Sequence, residues 1–489
     1  MRKVALTAPL AAVLLAGCID LAPAYHRPPA PTPTDFPAGP AYAPPPTAAQ
    51  PVVGWRDFFS DPKLKTVIER ALAENRDLRV AVANIAAARA QYHVQRAALF
   101  PTISAQAGAT LGQEPASVVA GGLLPGGAKG AFDEHIYSLT AGTSAYELDL
   151  FGKVRDLTRA QQARYFATQQ ARDAAQIALV SEVAADYLII GADRALLGIA
   201  QDTLKSATAT LAVTQQRFGV GVASGLDVSQ AESIVQQARF DVARLTTQVA
   251  QDRNALDLVV GAPVGDELLP ASADPPIVVL ERLPAAVSSA VLLDRPDVLE
   301  AEDQLRASNA NIGAARAAFF PNIALTGSGG LTSLALSALF QGASGTWAFA
   351  PAITQTLFDA GANRGNLELA KAQREAAVAT YEKAIQTAFR EVADALAQRG
   401  TIDEQLAAQQ ALEVASDDAL RLSTARYERG SDTYLNVLIA QRTLYAARQT
   451  LVASELARTT NLVTLYAALG GGLNAPPAQP GSDQSRRPG

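Results

Sequence analysis

Two long stretches of the chain carry apolar residues at helical spacing and contain no proline. One lies between Asp156 and Gly261, and the other lies between Ala352 and Ala475. From Asp156 to Arg217 the pattern is unbroken over about 60 residues, which corresponds to ~90 Å of α-helix at about 1.5 Å per residue. Helices of this length need partners, because most helical stability comes from packing an apolar face. The pattern therefore predicts long, paired helices.

Alanines at intervals of seven residues predict how these helices pack. They form three series: Ala160, Ala167 and Ala174; Ala171, Ala178, Ala185 and Ala192; and Ala370, Ala377 and Ala384. Small side chains at heptad spacing let two helices approach closely along a supercoiled seam. We therefore expect alanine-rich coiled pairs.

Between the helices, short stretches alternate apolar and polar residues with period two, which is typical of β-strands. They predict strands at about 102–112 and 136–149 in the first half of the chain, and at about 322–332 and 345–358 in the second. The glycine-rich residues from 112 to 134 are predicted to form the loop between the first two strands. Shorter helices precede the strands, and Asp61-Pro62 predicts the start of one, with a capping residue followed by an N1 proline.

The same order of elements occurs twice. Residues 95–101 (Gln-Arg-Ala-Ala-Leu-Phe-Pro) correspond to residues 315–321 (Ala-Arg-Ala-Ala-Phe-Phe-Pro), about 220 positions later, and residues 217–228 correspond to 426–437. The chain is therefore predicted to be mainly α, with two tandem repeats of helix-helix-strand-strand-helix-helix. The first repeat spans 53–265, an equatorial linker spans 266–283, and the second repeat spans 284–472.

The first 17 residues are predicted to be an export signal, and Cys18 is predicted to carry lipid. Two basic residues precede the apolar run from Val4 to Leu15, which is too short to cross a membrane. The sequence Leu15-Ala16-Gly17-Cys18 resembles the bacterial lipobox, in which the cysteine is diacylated and becomes the N-terminus. Ile19 follows, and in this class of lipoprotein that residue implies the outer membrane. The alternative is a chance cysteine after an ordinary cleavage site.

Two segments lie outside the repeats. Residues 18–52 are predicted to form the lipid anchor and a proline-rich tether, because 11 of the 28 prolines lie between Pro23 and Pro51. Such a composition favours an extended, polyproline-like spacer. Residues 473–489 are rich in proline, glycine and polar residues, and we expect a disordered tail.

Composition excludes several classes of protein. The 489 residues carry 41 basic and 47 acidic side chains, a net charge of −6. This balance argues against a nucleic-acid partner, because phosphate binding needs clustered positive charge. Hydrophobic residues make up 49% of the chain but aromatic residues only 6%, which suits close-packed helices better than an enzyme core. With three histidines and one cysteine, we expect no metal site, no cofactor and no enzymatic activity.

Four strands cannot close a membrane barrel within one chain. Known membrane barrels begin at eight strands, and an open edge leaves unpaired backbone groups in lipid. Two copies would give eight strands, whose interior is filled by side chains, whereas three copies give twelve and leave room for a pore. The strands alone therefore indicate an oligomer of at least three if a lumen exists.

An ordered set of motifs runs along the chain, and all but the first of them lie within residues 50–472. The motifs are Leu15-Ala16-Gly17-Cys18, Gly54 to Phe59 with Asp61-Pro62, Ala98 to Pro101, Leu148 to Gly152, Arg217-Phe218 to Val228, Arg295-Pro296-Asp297, Ala318 to Pro321, and Arg426-Tyr427 to Val437. In this order they resemble the outer-membrane efflux channel family, TolC-like, and specifically its NodT-type lipoprotein branch. The resemblance implies a trimer in which twelve strands form one outer-membrane β-barrel and twelve helices continue it as a periplasmic α-barrel.

The resemblance also implies a function and partners. It implies a passive duct in the outer membrane, lipid-anchored and extending into the periplasm, that receives small molecules such as drugs from an inner-membrane pump through a periplasmic adaptor. Two alternatives stay open. One is a type I protein secretion channel, and the other is a structural coiled-coil lipoprotein without a pore. The sequence does not identify the exported substrate.

In this family, adaptor-docking grooves lie at the helix turns. Carried over to this sequence, the docking residues are Arg217, Phe218, Gly221, Ser224, Gly225 and Leu226 at the first turn, and Arg426, Tyr427, Gly430, Thr433 and Leu435 at the second. Gly221 and Gly430 suit a chain reversal that needs positive φ. The alternative is that these are ordinary turn residues.

Acidic side chains near the turns often line the closed periplasmic aperture in this family. Asp417 and Asp418 lie about ten residues before Arg426. The resemblance makes them the candidate gate, in which like charges would crowd together and bind cations. The alternative is a solvated helix face.

Overall fold

The computed structural model describes residues 20–42, 54–115, 131–271 and 288–472. The helices are α1 (Trp55–Phe58), α2 (Pro62–Glu74), α3 (Arg76–Ala97), α4 (Lys153–Gly219), α5 (Gly225–Val260), α6 (Pro296–Ala317), α7 (Ala362–Glu428) and α8 (Tyr434–Ala468). The strands are β1 (Ser104–Pro115), β2 (Ala131–Glu147), β3 (Asn322–Ser333) and β4 (Gly345–Thr354). The chain is mostly helical with one small sheet, as predicted. The signal segment, Cys18 and the tail 473–489 lie outside the described residues.

The chain divides into two compact units. The described parts of the first, the sheet unit, are residues 20–28, 86–115, 131–167 and 302–379. Those of the second, the helical unit, are residues 29–42, 54–85, 168–271, 288–301 and 380–472. Both units take residues from both repeats, so neither repeat is a separate domain.

The four strands form one antiparallel sheet in chain order, and β2 of the first repeat pairs with β3 of the second. The β2–β3 pairing has a bulge between Thr143 and Tyr146, where Ala145 has a φ of 55°. The N–H of Ala145 donates to the hydroxyl of Thr326 (3.2 Å). Since β1 and β4 are the outer strands, the sheet joins the two repeats at its centre and has one edge from each.

At the ends that face the loop between them, β1 and β2 are both longer than predicted. The β1–β2 ladder continues to the pair Pro115 and Ala131, well inside the residues predicted to be loop. Near this end the amide of Gln113 donates to the carboxylate of Asp133 (3.0 Å) across the two strands. Backbone pairing therefore continues into both described ends of the glycine-rich segment, up to Pro115 and Ala131. The sequence prediction of a loop from 112 to 134 was wrong at both ends, because cross-strand partners outweigh local composition.

On the helix side, the strands end earlier than expected. β2 ends at Glu147 and not at 149, because the carboxylate of Asp149 accepts the N–H of Arg155 (2.8 Å) and so belongs to the start of α4. β4 ends at Thr354 and not at 358. Beyond it, the carboxylate of Asp359 accepts the N–H of Asn363 (2.8 Å) and serves the start of α7.

In the described part of the second repeat, from residue 288 onward, a 3-10 helix takes the place that α2 has in the first repeat. The expected pair of α-helices is a six-residue 3-10 helix, Ser289–Asp294, followed by α6. Arg295 between them is extended, with a ψ of 138°. A proline disfavours the α conformation in the residue that precedes it. Pro296 therefore starts a new helix, α6, and does not continue the 3-10 helix.

The core of the helical unit connects the first helices to the end of the chain. Phe58 and Phe59 are fully buried, and the ring of Phe58 stacks on Tyr466 with 4.3 Å between centroids. Asp61 caps α2 as predicted, because its carboxylate accepts the N–H of Lys63 (2.8 Å). The same carboxylate accepts the hydroxyl of Tyr187 on α4 (2.9 Å). The motif around Asp61-Pro62 therefore starts a helix and fixes it to its neighbour.

The alanine series pack closely only in part. Ala160 on α4 forms a buried cluster with Ala307 and Ala310 on α6. Ala167 and Ala370 are also buried. Other members of the series are exposed or half-buried in the single chain, so the heptad pattern predicted the seam but not its extent.

Residues 20–42 lie within the segment that was predicted to be an extended, polyproline-like tether. They are extended, yet they pack against the folded chain. In the helical unit the Ser289 N–H and hydroxyl donate to the carbonyls of Thr34 (2.9 Å) and Pro33 (2.6 Å), and Phe36 stacks on Phe389 at 5.0 Å. A polyproline-like backbone leaves its carbonyls free to accept such bonds, which composition alone does not reveal.

Candidate functional site

The first turn, between α4 and α5, is a Schellman motif centred on Gly221. Gly221 has a φ of 79°, and its N–H donates to the carbonyl of Phe218 (2.9 Å). The N–H of Val222 donates to the carbonyl of Arg217 (2.9 Å). This pair of bonds satisfies the last carbonyls of α4, and the positive φ favours glycine.

A capping box restarts the chain into α5. The hydroxyl of Ser224 accepts the N–H of Asp227 (3.1 Å), and the carboxylate of Asp227 accepts the N–H of Ser224 (2.8 Å). α5 then begins at Gly225. The turn is therefore fixed on both sides, by the Schellman bonds before it and by the capping box after it.

The second turn, between α7 and α8, has the same ending. Gly430 has a φ of 73°, and its N–H donates to the carbonyl of Tyr427 (2.9 Å). The N–H of Ser431 donates to the carbonyl of Arg426 (2.9 Å). The correspondence found in the sequence between the two turns is therefore repeated in their hydrogen bonds.

The restart after the second turn uses a different cap. Thr433 is the cap residue by position, but its side chain makes no capping bond. The carboxylate of Asp432 instead accepts the N–H of Thr433 (2.8 Å), the side-chain amide of Asn436 (2.6 Å) and the guanidinium of Arg426 (3.1 Å). These bonds, the backbone one first, lower the pKa of Asp432. No capping role was predicted for Asp432 from the sequence, although an Asp before a helix start is a recognisable capping signal.

The two turns lie side by side. The guanidinium of Arg217 lies over the ring of Tyr427, 4.5 Å from its centroid, and Tyr427 contacts Tyr434 at 5.4 Å between centroids. Tyr434 packs in a small buried cluster with Ala231 and Val437. Burial is the main cause that raises the pKa of Tyr434 to about 12. The structure thus brings Arg217, Tyr427 and the start of α8 together at one end of the helical unit.

Several apolar side chains at the turns are exposed. Val220 is 76% exposed and Val222 63% exposed, in a segment where Phe218 and Leu226 are exposed as well. Leu435 after the second turn is also exposed. Apolar side chains grouped on a surface in this way mark interaction sites more often than single exposed residues do.

A groove between α7 and α8 adjoins the second turn. It has a volume of about 350 Å³ and is lined by Ala415, Ser416, Ala419, Ser423, Asn436, Ile439, Ala440 and Thr443. The small residues on α7 recur at four-residue spacing, which places them on one helix face. This groove was not predicted from the sequence, although the spacing of Ala415, Ala419 and Ser423 is the signal that indicates it.

The candidate gate residues each have a cationic partner in the same chain. The carboxylate of Asp417 accepts from Arg448 on α8 (2.9 Å), and that of Asp418 accepts from Arg421 (2.9 Å). Arg448 also donates to Glu413 (3.0 Å). The expectation of crowded like charges did not include these arginines, of which Arg448 binds across the α7–α8 pair.

A link between α5 and α8 was missed in the sequence. The hydroxyl of Tyr445 donates to the carboxylate of Asp241 (3.1 Å). Burial, followed by the charge of Asp241, raises the pKa of Tyr445 to about 12, so the phenol keeps its proton. Tyr445 and Asp417 each lie 11 residues from the second turn, ~16 Å along their helices. The helix pairs are therefore joined at the level of the candidate gate.

The fold defines a class of protein. A small antiparallel sheet shared by two repeats, with a 67-residue helix in each repeat that turns back at a glycine, is the architecture of the TolC-like outer-membrane channels. The chain belongs to the outer membrane efflux protein family, whose sequence pattern matches residues 67–262 and 287–471. It is an outer-membrane efflux channel, a transport duct and not an enzyme.

Relatives and solved structures agree with this assignment. The chain is 45% identical over 477 residues to the probable efflux pump outer membrane protein TtgC of Pseudomonas putida, covering 96% of each protein. It is 41% identical over 474 residues to the outer membrane protein OprJ of Pseudomonas aeruginosa, covering 96% of this chain and 97% of OprJ. The crystal structure of the open state of the Neisseria gonorrhoeae MtrE outer membrane channel is similar with a TM-score of 0.81 and 37% identity, over 93% of this chain and 98% of that one.

Proposed function

We propose that three copies of the chain form one passive duct through the outer membrane. The observation that carries this proposal is the open sheet, in which β1 and β4 each present an edge. Lipid does not tolerate such edges, so neighbouring copies must pair with them. Three copies supply twelve strands for a β-barrel, and α4, α5, α7 and α8 of each copy supply twelve helices for a periplasmic α-barrel.

We further propose that a periplasmic adaptor binds the two turns and couples the duct to an inner-membrane pump. The support is local. Both turns have the same Schellman geometry and lie side by side, and the first turn exposes the apolar side chains of Val220, Val222 and Leu226. The adjoining groove between α7 and α8 has a volume of about 350 Å³ and is lined mainly by small side chains. The other predicted docking residues lie within the same turns.

The docking proposal predicts the effect of charges placed at the first turn. Val220→Asp combined with Val222→Asp is expected to weaken binding of the purified adaptor at least about tenfold, because burying each valine contributes ~1.5 kcal/mol or more and a buried carboxylate opposes it. Binding to the immobilised channel checks this. Ser206→Asp, at an exposed position higher on α4, is the control. Equal adaptor affinity in all three proteins would contradict docking at the turn.

We propose that the duct exports small organic compounds. Relatives are described as a toluene efflux, a solvent efflux and an antibiotic efflux pump outer membrane protein. The test is complementation of a strain that lacks its own channel but keeps pump and adaptor. Restored tolerance to toluene or antibiotics would support the proposal. Restored secretion of a protein without restored tolerance would favour a type I secretion channel, and absence of any conductance would favour a structural coiled-coil lipoprotein.

We also propose that Asp417 and Asp418 contribute to the periplasmic gate. In the resting duct, Arg448 holds Asp417, and Tyr445 bound to Asp241 joins the helix pairs at the same level. Opening would have to break these bonds. The carboxylates would then face the aperture and favour cations.

The gate proposal predicts altered ion selectivity. Asp417→Asn combined with Asp418→Asn is expected to lower the preference for K⁺ over Cl⁻ and to raise the leak current in planar bilayers, because two negative charges and the bond to Arg448 are lost. Asp394→Asn removes an exposed carboxylate far from the turn and is the control. Unchanged selectivity and leak in the double variant would count against the gate.

We propose, finally, that Cys18 is diacylated and attaches each copy to outer-membrane lipid. The support is the lipobox-like sequence before Cys18 and its position two residues before the docked segment that begins at Asp20. The β-barrel would supply a second attachment to the membrane beside this lipid anchor.

A further inference from the structure

The two repeats meet inside the chain where β2 pairs with β3, and a pair of aromatic rings lies at the end of this pairing. The ring of Phe151, between β2 and α4, stacks on the ring of Phe320, between α6 and β3, with 4.6 Å between centroids and 19° between the ring planes. The N–H of Leu148 donates to the carbonyl of Ile323 (2.7 Å) and continues the backbone pairing towards the rings. We name the Phe151–Phe320 contact and the helices beside it the repeat junction.

The helices of the repeat junction also pack on each other. Ala160 on α4 lies in a buried cluster with Ala307 and Ala310 on α6. In chain order α4 follows the second strand of the first repeat, and α6 precedes the first strand of the second. The repeat junction therefore has two parts, a stacked aromatic pair at the strand ends and a seam of small side chains between two helices.

Both rings of the repeat junction have equivalents at the outer edges of the sheet. Phe100 corresponds to Phe320, because each lies directly before the proline that precedes the first strand of its repeat. Phe358 corresponds to Phe151, because each follows a leucine just after the second strand of its repeat. β1 and β4 are three strand spacings of about 4.8 Å apart, so Phe100 and Phe358 belong to opposite edges of the sheet.

The equivalent side chains at the outer edges are exposed. Phe151 is half-buried at the repeat junction, whereas Phe358 is 88% exposed. Phe100 is 64% exposed, against 41% for Phe320. Leu357, next to Phe358, is 93% exposed. Large apolar side chains grouped in this way mark an interaction site. The single chain therefore leaves uncovered, at both edges of its sheet, the side chains whose equivalents it covers at the repeat junction.

The same difference is found between the equivalent helices α3 and α6, each of 22 residues. On α6, Ala307 and Ala310 are buried against α4. The corresponding residues of α3, Ala87 and Ala90, are exposed. The helix equivalent to α4 is α7, which follows β4 at the opposite edge of the sheet from α3. A second copy that pairs its β4 with β1 of the first would bring its α7 to this exposed face of α3.

We propose that Phe358 of one copy stacks on Phe100 of the next copy, and that α7 of the one packs on the face of α3 that carries Ala87 and Ala90 in the other. Each contact between copies then repeats the contact between repeats. Continuity with the sheet supports this occupant, because Phe358 lies four residues after β4 ends and Phe100 four residues before β1 begins. The proposal rests on the oligomer proposed above, to which it adds the residues that join the copies.

Cysteine cross-linking in the detergent-extracted protein tests the aromatic pair. A short bis-maleimide is chosen by its ability to join Phe151→Cys with Phe320→Cys inside one chain, where the two rings are stacked. The same reagent is expected to join Phe100→Cys with Phe358→Cys between chains, which gives covalent dimers and trimers on denaturing gels. The native chain has one cysteine, so the parent protein, treated in the same way, shows whether that thiol reacts.

A control pair and a mass measurement make the result decisive. Phe100→Cys with Phe340→Cys is expected to stay unlinked, because Phe340 is exposed but lies between β3 and β4, at the other end of the strands. Trimers in native mass spectrometry that are not linked at the Phe100–Phe358 pair would overturn this contact and leave the trimeric duct standing. The two rings would then face lipid. Single copies in both measurements would contradict the duct itself, and the contact with it.

A truncation measures the contribution of the pair without a reagent. Phe358→Ala is expected to raise the dissociation constant of the assembly at least about tenfold, because each contact between copies loses a buried phenylalanine. Phe358→Tyr keeps a ring that can stack and is expected to assemble like the parent protein. Phe340→Ala, which truncates another exposed phenylalanine, is the matched control. Sedimentation of a dilution series in detergent gives these constants, and equal values for the two alanine variants would overturn the inference.

Discussion

Replacing Gly142 with alanine is expected to disrupt the pairing of β2 with β3 and so to separate the two repeats in the sheet. A Cβ atom at this position would lie 2.2 Å from the carbonyl oxygen of Gly327 and 2.6 Å from Cα of Ser328. Both are backbone atoms, so the strands must move apart. We expect a loss of about 3 kcal/mol or more in the free energy of unfolding, the upper range for overpacking.

Urea unfolding of the detergent-solubilised protein, followed by the β-sheet circular dichroism signal, measures this loss. Gly329→Ala is a matched control on β3, because a Cβ there would lie 3.9 Å from the nearest atom, the carbonyl oxygen of Thr346. The control is expected to behave like the parent protein. If both variants unfold at the same urea concentration, the close contact at Gly142 does not limit the sheet.

Truncating Phe58 is expected to have a comparable effect on the helical unit. Phe58 is fully buried, stacks on Tyr466 at 4.3 Å and meets the edge of Phe59 at 4.8 Å between centroids. Phe58→Ala removes a ring that joins α1 to α8 and leaves a cavity. The free energy of unfolding is expected to fall by about 3–5 kcal/mol, the range found when a buried Phe is replaced by Ala.

The measurement is chemical unfolding followed by the helical circular dichroism signal. Phe340→Ala is the matched control, since its ring is 75% exposed. An exposed truncation away from special features changes the stability by about 0.5 kcal/mol or less. A Phe58 variant as stable as the Phe340 variant would show that the aromatic cluster does not stabilise the contact between α1 and α8.

The long helices and the repeat could be predicted from the sequence because their signals are local and periodic. Absence of proline and regular apolar spacing placed α4 within three residues of its observed ends. Gly221 and Gly430 were recognisable because a Schellman ending needs positive φ. The predicted ends of the strands were less accurate than those of the helices. A strand continues as long as it has a partner strand to pair with, and that partner lies elsewhere in the sequence.

The missed contacts join residues that are far apart in the chain. Tyr445 binds Asp241 across 204 positions, and Arg448 reaches Asp417 from another helix. The contacts of the predicted tether were missed for the same reason: Asn309 binds Pro23 across 286 positions, and a proline-rich segment has no periodicity that would show which face it packs against. Residue type and local pattern do not show these contacts, because the partner of each group is supplied by the tertiary fold.

Electron microscopy of the detergent-extracted mature protein shows whether three copies form one duct. Class averages viewed end-on are predicted to show a ring with threefold symmetry around a lumen, as the two open strand edges of each copy require. Single copies, or an assembly without a lumen, would contradict the account and would favour a lipid-anchored structural protein.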